Sequence, residues 1–102
     1  MAVDFEYLET YAGGDLEVVA DVLRLFRSQA EIWLAGLDDP AAGWRDLAHA
    51  IKGSAKGIGA VALGDLADVA EQGDASLGPP LRAALVEVLA EIEGYLSRVS
   101  GG

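Results

Sequence analysis

The chain has 102 residues, of which 17 are Asp or Glu and 7 are Lys or Arg, so its formal net charge is −10. A chain of this length buries one hydrophobic core, and residues 1–102 are therefore expected to form a single domain. The acidic balance argues against a nucleic-acid partner, because binding to a phosphate backbone requires a basic face.

The absence of cysteine excludes a disulfide framework, thiol catalysis and a thiolate metal site. The first residues lack the basic and then apolar order of a secretion signal. The longest stretch without a charged residue, 57–64, is far shorter than the roughly 20 residues that cross a bilayer. We therefore expect a cytoplasmic protein with no membrane contact, and the sequence predicts no metal site.

Helix-forming residues dominate and no segment alternates like a half-buried strand, so the whole chain is predicted to be α-helical. Clusters of Gly and Pro divide it into five helices. A short helix over 5–11 is expected to cover one end of the fold. A long helix over 16–37 follows Asp15 as its N-cap. Its apolar residues recur every three or four positions and predict a buried face: Leu16, Val19, Ala20, Leu23, Phe26, Ala30, Trp33 and Leu37.

Two shorter helices are predicted over 41–56 and 61–73, and a last long helix begins near Pro79 and Pro80, where a helix start tolerates proline. Together with the helix over 16–37 and its short connections, they predict an all-α antiparallel four-helix bundle with a short additional N-terminal helix. The predicted buried stripes are Trp44, Leu47, Ala48, Ile51, Ala55 and Ile58, then Leu63, Leu66, Ala67 and Ala70, then Leu81, Leu85, Val88, Leu89, Ile92, Tyr95, Leu96 and Val99.

The long helix over 16–37 carries a second apolar row, which consists of Val18, Val22, Leu25 and Ile32. The favoured interpretation is contact with the N-terminal helix. The alternative is a surface on which a partner docks.

The single histidine lies on the third predicted helix. A turn of 100° per residue places His49 about 150° from the centre of that helix's buried face, so its ring is predicted to point into water. Its stripe also holds Arg45, Lys52 and Lys56, which are the three cations between residues 28 and 81. One interpretation is an ordinary solvated helix face, and the functional alternative is an anion site.

Gly53 lies one turn beyond His49 on the same stripe. Because glycine inside a helix costs about 1 kcal/mol relative to alanine, something should offset that cost. The missing side chain leaves the ring open to approach, which suits a group that another macromolecule must reach.

A neutral imidazole is a competent nucleophile, and phosphorylating it creates a group of charge near −2. Each cation at about 7 Å in a water-like dielectric contributes roughly 1 kcal/mol against such a dianion. Lys52 and Lys56 are therefore predicted to help hold a phosphoryl group on His49.

A hairpin centred on Ala60 pairs residues whose numbers sum to about 120, so Glu71 should face His49 and Asp68 should face Lys52. Glu71 would then accept the hydrogen bond of one ring nitrogen and leave the other free to attack. The alternative is that Glu71 is an ordinary surface acid. The pair of Asp68 with Lys52 is expected to be a surface ion pair of little worth.

The segment LAHAIKGSAKGIGA over 47–60, followed by Leu63, Leu66, Ala67, Ala70 and Glu71, resembles the histidine-containing phosphotransfer (HPt) domain family. The signature is a histidine, Lys-Gly three and four positions later, a small residue, and Gly ten positions later. The resemblance implies a four-helix bundle whose exposed histidine takes a phosphoryl group from the aspartyl phosphate of one receiver domain and passes it to another.

By position, the resemblance makes His49 the phosphorylated residue, Gly53 the clearance beside its ring and Gly59 the close turn between helices. Lys52 and Lys56 become the electrostatic neighbours, and Glu71 lies where relatives often have Gln or Glu. Gly57 departs from the polar residue frequent at its position, so no hydrogen bond is expected from there. The predicted receiver-docking face consists of Arg45, Ala50, Gly53, Ser54 and Gly57.

The resemblance further implies a phosphocarrier rather than an enzyme, without an ATP pocket or a cofactor of its own, and with Mg²⁺ held by the receiver domain. Its other partner would be a sensor histidine kinase, of the simple or the hybrid type. The chain is expected to be a monomer.

The alternative function is that of a non-catalytic helical adaptor, in which the row of Val18, Val22, Leu25 and Ile32 binds a partner helix. A hydrolase or metalloenzyme comes third, since the sequence has no second histidine, no cysteine and no Ser/His/Asp arrangement.

Overall fold

The structure is a computed structural model that describes residues 1–39 and 43–99. Its helices are α1 (Phe5–Tyr11), α2 (Leu16–Leu37), α3 (Trp44–Gly57), α4 (Val61–Glu71) and α5 (Gly78–Val99), with a short 3-10 turn at Ala75–Leu77 before α5. No strand occurs within the described ranges. The all-α prediction is confirmed.

The helix boundaries follow from local chemistry. The Asp15 side chain accepts hydrogen bonds from the backbone N–H groups of Glu17 and Val18, which confirms the predicted N-cap of α2. Helix α4 ends at Glu71, two residues before its predicted end, because Gly73 takes a left-handed φ of 106° that an α-helix does not allow.

Helix α3 begins later than predicted. Gly43 precedes it with a left-handed φ of 82°, and Trp44 is its first residue. The predicted first residues, 41 and 42, lie outside the described residues. The helix also extends one residue further, to Gly57.

Helices α2 to α5 form a ring in which each is antiparallel to the next, and α5 closes the ring against α2. Across that closing contact Arg27 pairs with Glu93 at 2.7 Å, while Arg82 pairs with Asp38 and donates to the carbonyl oxygen of Leu34 at 2.9 Å. The apolar stripes of all four helices meet in one core. The predicted four-helix bundle is therefore confirmed.

Leu16 is the exception among the predicted core residues of α2, since 45% of it is exposed. It is the first residue of the helix and lies with Val99 in a shallow cleft at the end of the bundle, where the neighbouring helices no longer cover it. Helical periodicity gives the direction of a side chain but not where the packed length ends.

Helix α1 covers one end of the bundle, as predicted. The ring of Phe5 stacks on that of Tyr95 with 4.5 Å between centroids, and the Tyr95 hydroxyl donates to Glu9 at 2.7 Å. The N–H of Asp4 donates to the carbonyl oxygen of Gly59 at 3.1 Å. Gly59 has a φ of 78°, and a Cβ there would lie 3.1 Å from the Asp4 oxygen, so this close turn requires glycine.

The second apolar row of α2 is exposed: 46% at Val18, 38% at Val22, 63% at Leu25 and 64% at Ile32. The favoured interpretation, contact with the N-terminal helix, is wrong. Because α1 packs at the end of the bundle against Tyr95 and the α3–α4 turn, it leaves this flank of α2 uncovered.

None of the helices in residues 1–39 and 43–99 combines the length and the apolar character that a membrane span requires.

Candidate functional site

His49 projects from the outer face of α3. The helix turns Trp44, Ala48, Ile51 and Ala55 into the core, which leaves the His49 side chain 68% exposed. The prediction that the ring points into water is confirmed.

The turn at Gly59 and Ala60 makes α3 and α4 antiparallel, and this brings Glu71 opposite His49. The Nδ1 atom of His49 lies 2.7 Å from Oε1 of Glu71. The predicted register holds one turn further along, where the Lys52 ammonium lies 3.3 Å from Asp68. Glu71 is therefore a ring partner of His49 and not a solvated surface acid.

The charge of Glu71 decides which ring nitrogen is free. Hydrogen bonds from Lys52 and, second, from His49 lower the pKa of Glu71 below its ordinary value of 4.5, so the carboxyl group is ionised at neutral pH. A carboxylate can only accept, hence Nδ1 carries the proton and donates it. In the neutral ring Nε2 then keeps its lone pair, and no described residue makes a hydrogen bond to it.

Lys52 is tied to the partner of the histidine, which sequence reasoning missed. Its ammonium lies 2.5 Å from Oε2 of Glu71, so the two oxygens of one carboxylate hold His49 and Lys52. The hydrogen bond to Glu71 is also the main cause that raises the pKa of Lys52 above 10.5. The signal was present in the spacing, because residues three apart share a helix face and can reach the same opposing side chain.

Lys56 and Arg45 turn toward α4, and neither forms an ion pair with any residue of the described ranges. The stem of Lys56 crosses α4 at Gly64, where a Cβ would lie 2.8 Å from Cγ of Lys56. The guanidinium group of Arg45 lies against Gly73, 3.0 Å from where a Cβ would be. Both cations therefore lie at the margins of the site rather than against the ring.

Gly53 has no packing reason to be glycine. It lies inside α3 without a positive φ, and a Cβ built on it meets no atom within 4 Å. The same is true of Gly57, the last residue of the helix. Ala50 is exposed and Ser54 is half-buried. The surface beside His49 is therefore open and carries small side chains, as the predicted docking face requires.

A groove of about 360 Å³ runs between α2 and α3 beside this surface. It joins the exposed apolar row of α2 to the predicted docking face, because Val22 and Leu25 of the row line one side of the groove and Ser54 and Gly57 of the docking face line the other. Its lining is mostly apolar: Val22, Leu25, Phe26, Gln29, Ser54, Gly57 and Ile58.

Within the described part of the chain no group of three or more His, Asp or Glu side chains is arranged to hold a metal ion.

Comparison with known proteins agrees with this geometry. A family model of the Hpt domain matches residues 17–100. Among solved structures the chain is similar to the histidine phosphotransferase ShpA from Caulobacter crescentus, with 43% sequence identity and a TM-score of 0.89. The similarity covers 98% of this chain and 95% of that one. No curated protein matches the chain. The chain belongs to the Hpt domain family, whose members serve histidine phosphotransfer in phosphorelays.

Proposed function

We propose that the chain accepts a phosphoryl group on Nε2 of His49 from the aspartyl phosphate of one receiver domain and passes it to the aspartate of another. The observation that carries the proposal is the exposed ring of His49, whose Nδ1 is bound to Glu71 and whose Nε2 is left free.

In the transfer, the lone pair of Nε2 attacks phosphorus while the bond from phosphorus to the aspartate oxygen breaks. The aspartate leaves as a carboxylate, and the ring becomes a phosphorylated imidazolium that retains the proton on Nδ1. Glu71 accepts the hydrogen bond from that proton before and after the step, so it orients the nucleophile and stabilises the positive ring that forms. Transfer to the second receiver is the same step in reverse.

Lys52 balances the charge of Glu71. A carboxylate beside the ring favours the imidazolium but repels the incoming phosphoryl dianion. Because Lys52 contacts the second oxygen of Glu71, it offsets that repulsion without competing for the first oxygen. Lys56 and Arg45 add positive potential at the margins of the site.

The receiver domain is proposed to dock on the face formed by α3 and the exposed flank of α2. Ala50, Gly53 and Gly57 permit close approach to His49, and the groove between the two helices offers apolar surface for side chains of the partner. Hpt domains interact with receiver domains and histidine kinases in phosphorelays. Mg²⁺ would be held by the receiver, and this chain supplies the nucleophile.

The test is transfer of label. Incubation with a radiolabelled phosphorylated receiver and Mg²⁺ should move the phosphoryl group onto the wild-type chain, and His49→Gln should abolish the transfer while the helical circular-dichroism signal is unchanged. Incubation with labelled ATP and no kinase should leave the chain unlabelled. Wild-type chain that stays unlabelled across a panel of phosphorylated receivers would refute the proposal.

The exposed apolar row of α2 favours one other candidate, a helical adaptor without chemistry. If the chain is an adaptor, the wild type and His49→Gln should bind the partner with equal affinity, and neither should become labelled. Binding measured together with labelling therefore separates the two functions.

A further inference from the structure

Trp44 joins the two helices of the site at a second point. It is the first residue of α3 and is 8% exposed. Its indole Nε1–H donates a buried hydrogen bond to the carbonyl oxygen of Ala70 on α4, with 2.7 Å between the atoms. Nothing in the phosphotransfer chemistry described above uses this contact.

The acceptor lies next to the residue that holds the histidine ring. Ala70 precedes Glu71, and Glu71 is the last residue of α4. The last carbonyl groups of a helix have no partner within the helix, and helix ends fray. The Ala70 oxygen receives one further hydrogen bond, from the N–H of Gly73 at 3.0 Å. Trp44 therefore ties the backbone of this terminal turn to the helix that carries His49, beside the side-chain contacts that Glu71 makes with His49 and Lys52.

We propose that Trp44 is a positioning residue of the phosphotransfer site. Its hydrogen bond fixes the backbone of the last turn of α4, and this holds the Glu71 carboxylate where one oxygen meets Nδ1 of His49 and the other meets Lys52. The effect on transfer rate rests on the proposed function. The effect on the histidine ring does not, because the hydrogen bond between His49 and Glu71 exists without any partner.

The alternative is that Trp44 only fills core volume, and Trp33 provides the matched control. Trp33 is 5% exposed on α2 and packs edge-on against Phe26 with 5.2 Å between ring centroids. No residue of the described ranges makes a hydrogen bond with its indole. Replacement by phenylalanine removes similar volume at both positions but removes the interhelical hydrogen bond only at Trp44.

Nitrogen NMR of the His49 ring at neutral pH should be recorded for the wild type, Trp44→Phe and Trp33→Phe, with Glu71→Ala as the reference for a released ring. Trp44→Phe should shift the ring from the Nδ1–H tautomer toward the reference, and Trp33→Phe should match the wild type even if both variants melt at lower temperature. The transfer rate of Trp44→Phe should fall about two- to tenfold, the effect of losing one ordinary hydrogen bond on an equilibrium constant.

An unchanged tautomer in Trp44→Phe, or an equal shift in Trp33→Phe, would overturn the inference. If Trp44→Phe does not fold, incorporation of benzothienylalanine into the Trp33→Phe chain removes the N–H of residue 44 and keeps its shape, and the same shift is expected. If the wild type itself accepts no phosphoryl group, the proposed function fails, while the NMR comparison still decides the role of Trp44.

Discussion

Replacing Gly53 with alanine should stabilise the protein and slow phosphotransfer. Gly53 lies inside α3 beside His49, is exposed, and lacks the positive φ that would require glycine. Alanine is favoured over glycine in a helix interior by about 0.5–1 kcal/mol. Because the new Cβ meets no atom within 4 Å, no packing penalty offsets that gain. The free energy of unfolding should therefore rise by up to about 1 kcal/mol, which corresponds to an increase in Tm of roughly 4–8 °C for a domain of this size.

In the proposed docking mode, the same methyl group would lie in the path by which a receiver domain reaches Nε2 of His49. A misplacement of about 1 Å between reacting groups can cost about a hundredfold in rate, so a methyl group at this position should slow transfer by about ten- to a hundredfold. Single-turnover transfer from a phosphorylated receiver, measured beside thermal unfolding followed by circular dichroism, gives both quantities for one variant.

Gly94→Ala is the matched control. Gly94 is exposed inside α5, and a Cβ there makes one ordinary contact, 3.8 Å from the flexible side chain of Arg98. It should gain similar stability and transfer at the wild-type rate. Wild-type transfer by Gly53→Ala would show that the glycine provides no clearance. A lower Tm would show that the space above it is not open.

The stabilising effect of the Glu71 carboxylate should depend on pH. The pKa of Glu71 is lowered in the folded state from 4.5, so its stabilising contribution is complete above that value and is lost as pH falls through the folded-state pKa. The free energies of unfolding of wild type and Glu71→Gln should therefore converge in acid. Denaturant titrations at a series of pH values measure this difference, and a difference that stays constant with pH would contradict the expectation. Gly57→Leu should fill the groove between α2 and α3 and leave the helical bundle intact, since a Cβ at this position meets no atom within 4 Å. Calorimetry should show weaker receiver binding, and nitrogen NMR should show an unchanged His49 tautomer. Binding at wild-type affinity would remove the groove from the docking face.

The sequence was sufficient to place His49 and Glu71 together because both rely on regular geometry. Helical periodicity gave the direction of each side chain, and the short turn at Ala60 gave the level at which the two helices face each other. The pairing of Lys52 with Glu71 was missed because Asp68 and Glu71 are both within its reach, and the side-chain rotamer decides which is closer. The Trp44 hydrogen bond was missed since its acceptor is a backbone carbonyl, which every residue has.

The interpretation of the apolar row of α2 failed for a different reason. Periodicity shows that Val18, Val22, Leu25 and Ile32 share a face, but it does not show which element covers that face. The direction of α1 is set by the stack of Phe5 on Tyr95 and by the backbone contact at Gly59, which are contacts between residues distant in the sequence. Such contacts fix where a short helix lies, and no local pattern encodes them.

The proposed site is built to hold a phosphoryl group without trapping it. A carrier must release what it accepts, so strong binding of the dianion would stop the second transfer. Lys52 is engaged with Glu71 and Asp68, while Arg45 and Lys56, which form no ion pair among the described residues, lie at the margins. The two carboxylates beside Lys52 keep the centre of the site from being strongly positive. In the proposed complex, the open surface around the ring would leave room for a receiver that brings its own Mg²⁺. If the chain carries a phosphoryl group between two receiver domains as proposed, those receivers set the net direction of transfer, and the carrier supplies the same oriented nitrogen to both.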